Sequence, residues 1–136
     1  MEIKINEFII SDDKNRLQLD RIYELLHVTY WAKERSRDTI EKSIANSLCF
    51  GIYLNETQVG FARCVTDYAT IYWLADVIID ENYRKLGLGK VLVETIIKHE
   101  QLKGCNGILG TQEAHGLYAK YGFTLAPGKF MRKSAE

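Results

Sequence analysis

The chain predicts a mixed α/β layer fold, one sheet with helices on both sides, and three observations carry that prediction. Strand-like and helix-like segments follow one another over 136 residues in the order strand, two helices, three strands, helix, strand, helix, strand. The segment Ile71-Tyr72-Trp73-Leu74-Ala75-Asp76-Val77-Ile78-Ile79 is the longest apolar stretch, and it reads as a central strand buried on both faces. Residues 88–102 place Leu88, Val91, Leu92, Ile96 and Ile97 on one helical face, with Lys90, Glu94, Lys98 and Gln101 toward water. The length fits one domain over residues 1–136, since a domain takes ~100–200 residues. Such a chain buries roughly two-thirds of its unfolded surface, enough for a core without disulfides or a structural metal.

The remaining elements follow in order. Residues 2–10 read as a first strand, closed by the polar cluster Ser11-Asp12-Asp13-Lys14-Asn15. Leu17, Leu19, Ile22, Leu25, Leu26 and Val28 recur at near-helical spacing and place a helix at about 17–29. A second short helix covers 38–46, with Ser36 or Asp38 as its N-cap. Residues 48–54 and 58–66 form a hairpin across the polar break Asn55-Glu56-Thr57. The helix at 88–102 is expected to end at Gly104. Ile108 and Leu109 mark a short strand, 114–121 a last helix ended by Gly122, and 123–125 and 129–131 closing strands.

Composition excludes several function classes. Lys plus Arg and Asp plus Glu both total 18, so the net charge is zero, where a nucleic-acid binder would show a basic excess. No apolar run approaches the ~20 residues that span a bilayer, and no basic n-region precedes an apolar one at the N-terminus. The three cysteines, Cys49, Cys64 and Cys105, are odd in number and lack CxxC spacing, which argues against a disulfide framework or zinc knuckle. No metal site is expected, and a cytoplasmic location fits the cysteines. Asn55-Glu56-Thr57 matches a glycosylation sequon, but a turn is the simpler reading.

The most informative segment is Arg84-Lys85-Leu86-Gly87-Leu88-Gly89-Lys90, which joins the central strand to the strongest helix. Helix N-termini carry unpaired N–H groups and partial positive charge, and glycines let a ligand approach the backbone. A phosphate or pyrophosphate suits such a turn. A dinucleotide fingerprint fails because Leu92 stands where its third glycine belongs. A P-loop fails because Val91 follows Gly89-Lys90. A plain glycine turn with solvated basic residues stands beside the phosphate reading.

The segment resembles the coenzyme A turn of the GNAT (N-acetyltransferase) superfamily, whose Gln/Arg-x-x-Gly-x-Gly/Ala appears as Arg84-x-x-Gly87-x-Gly89. A second family motif is matched further on by Ala114, Tyr118, Gly122 and Phe123. Arg84 and Tyr118 lie 34 residues apart, in the elements where the family carries them, and the likeness covers essentially the whole chain. Three departures stand out. Lys85 occupies a usual glycine position and asks for a costlier backbone. Glu81 replaces a frequent proline, and Thr111 the usual asparagine, with shorter reach.

The resemblance implies a central, mostly antiparallel twisted sheet of about six to seven strands with about four flanking helices. It implies transfer of an acetyl group from acetyl-CoA to a primary amine. In that scheme the N–H groups of Lys85, Leu86, Gly87, Leu88, Gly89 and Lys90, with Arg84, hold the pyrophosphate. Val77 and Ile79 pair with the pantetheine arm, the N–H near Val77 faces the oxyanion, and Thr111 joins the cofactor set. Tyr118 is the general acid, against the alternative of a core aromatic. Asp76 is a candidate base in an apolar strand, against the alternative of a carboxylate satisfied by backbone or arginine, Arg63 on the adjacent strand being the nearest choice. His115 is a rival base, while His27 and His99 read as ordinary helix residues. Tyr30 and Trp31 form a wall for the acceptor, a small-molecule or peptide amine, with satellite core packing as the other reading. Tyr68 and Tyr72 share that ambiguity. A homodimer through an edge strand or apolar patch is compatible with the sequence. A noncatalytic acyl-CoA-binding regulatory module is the alternative function.

Overall fold

The computed structural model describes residues 1–111 and 114–135. Among the described residues six strands form one sheet in sequence order: β1 (Glu2–Ile5), β2 (Phe8–Ser11), β3 (Leu48–Leu54), β4 (Thr57–Thr66), β5 (Ile71–Ile79) and β6 (Asn106–Ile108). Every neighbouring pair is antiparallel except β5 and β6, which run parallel. The helices are α1 (Leu19–His27), α2 (Arg37–Ala45), α3 (Leu88–Ile97) and α4 (His115–Ala119). This is the mixed, mostly antiparallel layer fold expected from the sequence, at the lower strand number.

The two faces of the sheet bury different helices. Phe50 and Ile52 of β3, Ala62 and Cys64 of β4, and Tyr72 and Leu74 of β5 pack with Leu88, Leu92 and Ile96 of α3. On the other face Cys49, Phe61 and Ile78 meet Ile22, Leu25 and Leu26 of α1 and Ile40 of α2. The alternation is the period-two geometry of a strand, and each such aliphatic side chain contributes about 1.5–3 kcal/mol when fully buried. Gln18 and Gln58 tie α1 to the sheet: the Gln18 N–H donates to Gln58 Oε1 at 2.8 Å, and the Gln58 N–H donates to Gln18 Oε1 at 3.0 Å. Ser36 caps α2 by accepting from the Thr39 N–H at 3.2 Å.

Four expectations are corrected. The first strand is a hairpin, because Asn6 adopts φ 52° and turns the chain between β1 and β2. Asn tolerates that left-handed conformation better than most residues. The helix expected to run to 102 stops at Ile97: His99 is extended and caps a separate 3₁₀ turn at Glu100–Leu102. Gly104, with φ 80°, follows that turn rather than ending the helix. No strand forms over 123–131. Pro127 cannot donate to a ladder and Gly128 adopts φ 75°, so the segment has no regular structure and is exposed beyond the half-buried Phe123. The central strand is also less covered than expected, since Trp73, Ala75 and Val77 are only half-buried.

Two irregularities shape β5. Pairing with β4 skips Ala75: Cys64 faces Leu74 while Arg63 faces Asp76. Such a bulge adds one residue and re-aims the strand beyond it. Pairing with β6 covers only residues 71–73, so the edge of β5 from Leu74 onward has no strand beside it among the described residues.

Candidate active site

The open edge of β5 leads directly to the glycine turn. The Asp80 N–H donates to Val59 O at 2.8 Å, so the backbone of Asp80 faces β4. Backbone groups alternate along an extended strand, which turns those of Val77 and Ile79 to the open edge. A short 3₁₀ turn, Glu81–Tyr83, then carries the chain round to α3. Arg84 donates from Nε to the Ile79 carbonyl at 3.1 Å, fastening the turn to the end of the strand.

Residues 85–90 form a donor-rich cradle. Lys85 adopts φ 67° and Gly87 φ 82°, both left-handed. Lys85 thus holds the costly conformation expected of it, at about 1–2 kcal/mol for an L-residue. Gly87 is the N-cap of α3 and offers no side-chain acceptor to the first turn. Among the described residues none of the N–H groups of Lys85, Leu86, Gly87, Leu88, Gly89 and Lys90 has an acceptor within the protein. A Cβ placed on Gly87 or Gly89 would meet nothing within 4 Å, so the space above both is open. Unpaired N–H groups, the positive end of α3, the Lys85 and Lys90 ammonium groups and open space together fit a pyrophosphate.

Asp76 anchors the opposite side of the site. Its side chain is fully buried. Oδ2 accepts from Arg63 Nε at 2.8 Å and Arg35 Nη1 at 3.0 Å, and Oδ1 accepts from Trp31 Nε1 at 2.7 Å and Arg35 Nη1 at 3.3 Å. Arg63 also donates from Nη1 to Ser47 Oγ at 3.2 Å. The alternative weighed for Asp76, an arginine-satisfied carboxylate with Arg63 as partner, is the arrangement present. A base must reach the proton it removes, and here every oxygen of Asp76 is occupied and shielded.

Trp31 and Arg35 lie on the connection between α1 and α2, so Asp76 fastens that loop to β5 next to Val77. Tyr30 and Trp31 meet edge to face at 5.0 Å and are 50% and 38% exposed, which puts them on a surface rather than in a satellite core. Tyr118 sits on α4, partly buried, edge to face with Phe123 at 5.9 Å. Burial raises the pKa of its phenol, and the neighbouring Tyr30 phenol raises it further. The fold therefore joins Tyr30, Trp31 and Asp76 through one ring contact and one hydrogen bond, with the Tyr118 phenol within electrostatic range of Tyr30. Thr111 Oγ1 accepts from the Ala114 N–H at 3.1 Å and so shapes the entry to α4. Gln112 and Glu113, within the second motif, lie outside the described residues. His115 is exposed at the start of α4.

Residues 18–123 match the family model of the acetyltransferase (GNAT) family. The chain belongs to the GNAT acetyltransferase family. A GNAT-family structure from Xanthomonas campestris is 35% identical and superposes with a TM-score of 0.91, covering 97% of this chain and 96% of that one. GCN5-related N-acetyltransferase 1, chloroplastic, of Arabidopsis thaliana is 37% identical over 93% of this chain, which spans 66% of that relative's length. A GNAT structure from Elizabethkingia anophelis with acetyl-CoA bound shares the fold, with a TM-score of 0.69 at 17% identity over 90% of this chain and 79% of that one.

Sequence reasoning missed Arg35. In Lys33-Glu34-Arg35-Ser36-Arg37 it reads as one of several solvated charges, and only the tertiary fold brings it to a buried aspartate. His99 was also underread. It is buried, lies 2.8 Å from Asp12 through Nε2, and stacks on Phe50 with ring centroids 5.4 Å apart. The strand-to-turn register that joins Asp12 to His99 leaves no local signal.

Proposed function

We propose that this GNAT member is an acetyl-CoA-dependent N-acetyltransferase that moves an acetyl group to a primary amine by direct attack in a ternary complex. One observation carries the reading: among the described residues, the run of unpaired N–H groups at 85–90 continues from the open edge of β5 at Val77 and Ile79. A pyrophosphate on the turn and an extended arm along that edge would bring a thioester toward Val77. The Arabidopsis relative's name supports N-acetyl transfer, and the acetyl-CoA in the Elizabethkingia protein supports the cofactor. The three free cysteines support a cytoplasmic location.

In this scheme Arg84 holds the turn on the strand, and residues 85–90 with Lys90 bind the pyrophosphate. The Val77 N–H donates to the thioester oxygen as negative charge develops there, a role worth roughly 3–4 kcal/mol for a well-aimed donor. The neutral amine attacks the carbonyl carbon, the carbon–sulfur bond breaks, and the amine proton leaves to water. Tyr118 donates its phenolic proton to the departing sulfur, and the water that took the amine proton returns one to the phenolate. Its raised pKa keeps it protonated at neutral pH and makes it a weaker acid, so transfer depends on close approach and exclusion of water. Asp76 acts as a positioning residue through Trp31 and Arg35, not as the base.

Thiol release from acetyl-CoA, followed across a panel of primary amines, tests the proposal. Amine-dependent release supports it. Tight acetyl-CoA binding with no release on any amine favours the noncatalytic acyl-CoA-binding module.

A further inference from the structure

Asp76 is a single carboxylate facing two guanidinium groups. Arg63 supplies one charge-assisted bond to it, and Trp31 another hydrogen bond. Arg35 adds a second positive charge that neutralising Asp76 does not require. On the same loop Lys33 and Glu34 cancel each other, so the cluster retains one surplus positive charge. Arg63 is 11% exposed in its side chain, while Arg35 is 22% exposed. Among the described residues nothing accepts from Arg35 Nε or Nη2. A guanidinium presents five N–H donors in a planar fork that matches a carboxylate. Arg35 thus has one side locked on Asp76 and donors left on the other.

The position of this surplus is specific. Arg35 shares its loop with Tyr30 and Trp31, Trp31 and Arg35 both donate to Asp76, and Asp76 is the chain neighbour of Val77. Through Asp76, Arg35 is therefore tied to the residue next to Val77, the proposed acyl-transfer point.

We infer that the acceptor amine carries a carboxylate, and that Arg35 binds it. This rests on the acetyltransferase reading above. The carboxylate can come from a free amino acid or from an acidic peptide. Asp76 then has a second role: it pre-orients the fork of Arg35, so that little rotamer freedom is lost when the acceptor binds.

The test measures kcat/KM at saturating acetyl-CoA for the common amino acids, their carboxamides, and amide-capped dipeptides beginning with Asp or Glu. At least one carboxylate-bearing acceptor is expected to exceed its uncharged counterpart by roughly ten- to hundredfold, the worth of one hydrogen bond to a charged group. Preference for free amino acids over dipeptides, or the reverse, identifies the source. Arg35→Met is expected to bring that ratio within about threefold, and Arg35→Lys to retain part of it. Circular dichroism melting verifies that each variant is folded, and Arg35→Gln replaces Arg35→Met if that variant is not. Equal rates for acids and amides in the wild-type protein overturn the inference, as does a ratio that survives the loss of Arg35. Turnover of amides without any acid preference leaves the acetyltransferase standing and removes only this inference. Failure of every amine removes both.

Discussion

Tyr118 and Asp76 are both ionisable side chains beside one loop, yet their environments assign them different work. The Tyr118 phenol is partly buried, and burial followed by the Tyr30 phenol raises its pKa, so its proton is present across the neutral range. Tyr118→Phe is expected to lower turnover at least tenfold while acetyl-CoA still binds. Steady-state rates beside a binding titration measure this, and unchanged turnover removes Tyr118 from the chemistry. Asp76 instead compensates two guanidinium groups. Removing one partner of a buried ion pair costs about 3–5 kcal/mol, because uncompensated charge is left behind. Asp76→Ala should therefore lower the unfolding free energy by about that amount, read as a lower urea midpoint at unchanged slope. Asp76→Asn should reduce rate without abolishing any limb of the pH–rate profile, whereas loss of the acidic limb alone would make Asp76 the base. The sequence made Asp76 conspicuous, as one carboxylate in an apolar strand, and made Arg63 a partner through the neighbouring strand. Arg35 was invisible, since its place depends on a loop between helices that no period constrains.

The glycine turn owes its character to three short-range features: a left-handed N-cap at Gly87, a left-handed Lys85, and a first helical turn without a side-chain cap. These follow from local chemistry, so the turn was legible from sequence. Gly89 lies inside α3 with open space where a side chain would go. Gly89→Leu should raise the melting temperature slightly, since leucine favours a helix over glycine by up to about 1 kcal/mol. The same change should cut acetyl-CoA affinity at least tenfold by filling the cradle. A drop in stability, or unaltered affinity, would contradict that placement. Elements whose ends depend on one residue were read less well. Asn6 splits the first strand into a hairpin, and His99 ends the long helix by capping the next turn. The open edge of β5 was not legible either, because it comes from a short β6 rather than from apolar content.

At the scale of the molecule, one sheet keeps α3 on one face and α1 with α2 on the other, so the glycine turn that opens α3 and the loop between α1 and α2 belong to opposite faces of the sheet. The same packing carries a pH dependence. Burial raises the pKa of Asp12, but the His99 ring and the amino-terminal group outweigh it and leave the carboxyl below its ordinary 3.8. Asp80 is likewise lowered: burial raises it, and the Asn82 N–H and Arg21 together prevail. For depressed carboxyls the stabilisation is fully present above the unfolded value, ~3.9, and is lost as pH falls through the folded value. Urea midpoints should therefore hold from pH 7 to 5 and fall toward pH 3; a flat profile would contradict these contacts.

Isothermal titration with acetyl-CoA, with ATP as a control, reads directly what the turn at 85–90 binds. Micromolar binding of acetyl-CoA without comparable binding of ATP is the expected result. Absence of acetyl-CoA binding would contradict it, and would mean that the turn at 85–90, with Lys85 in its strained conformation, does not hold the cofactor.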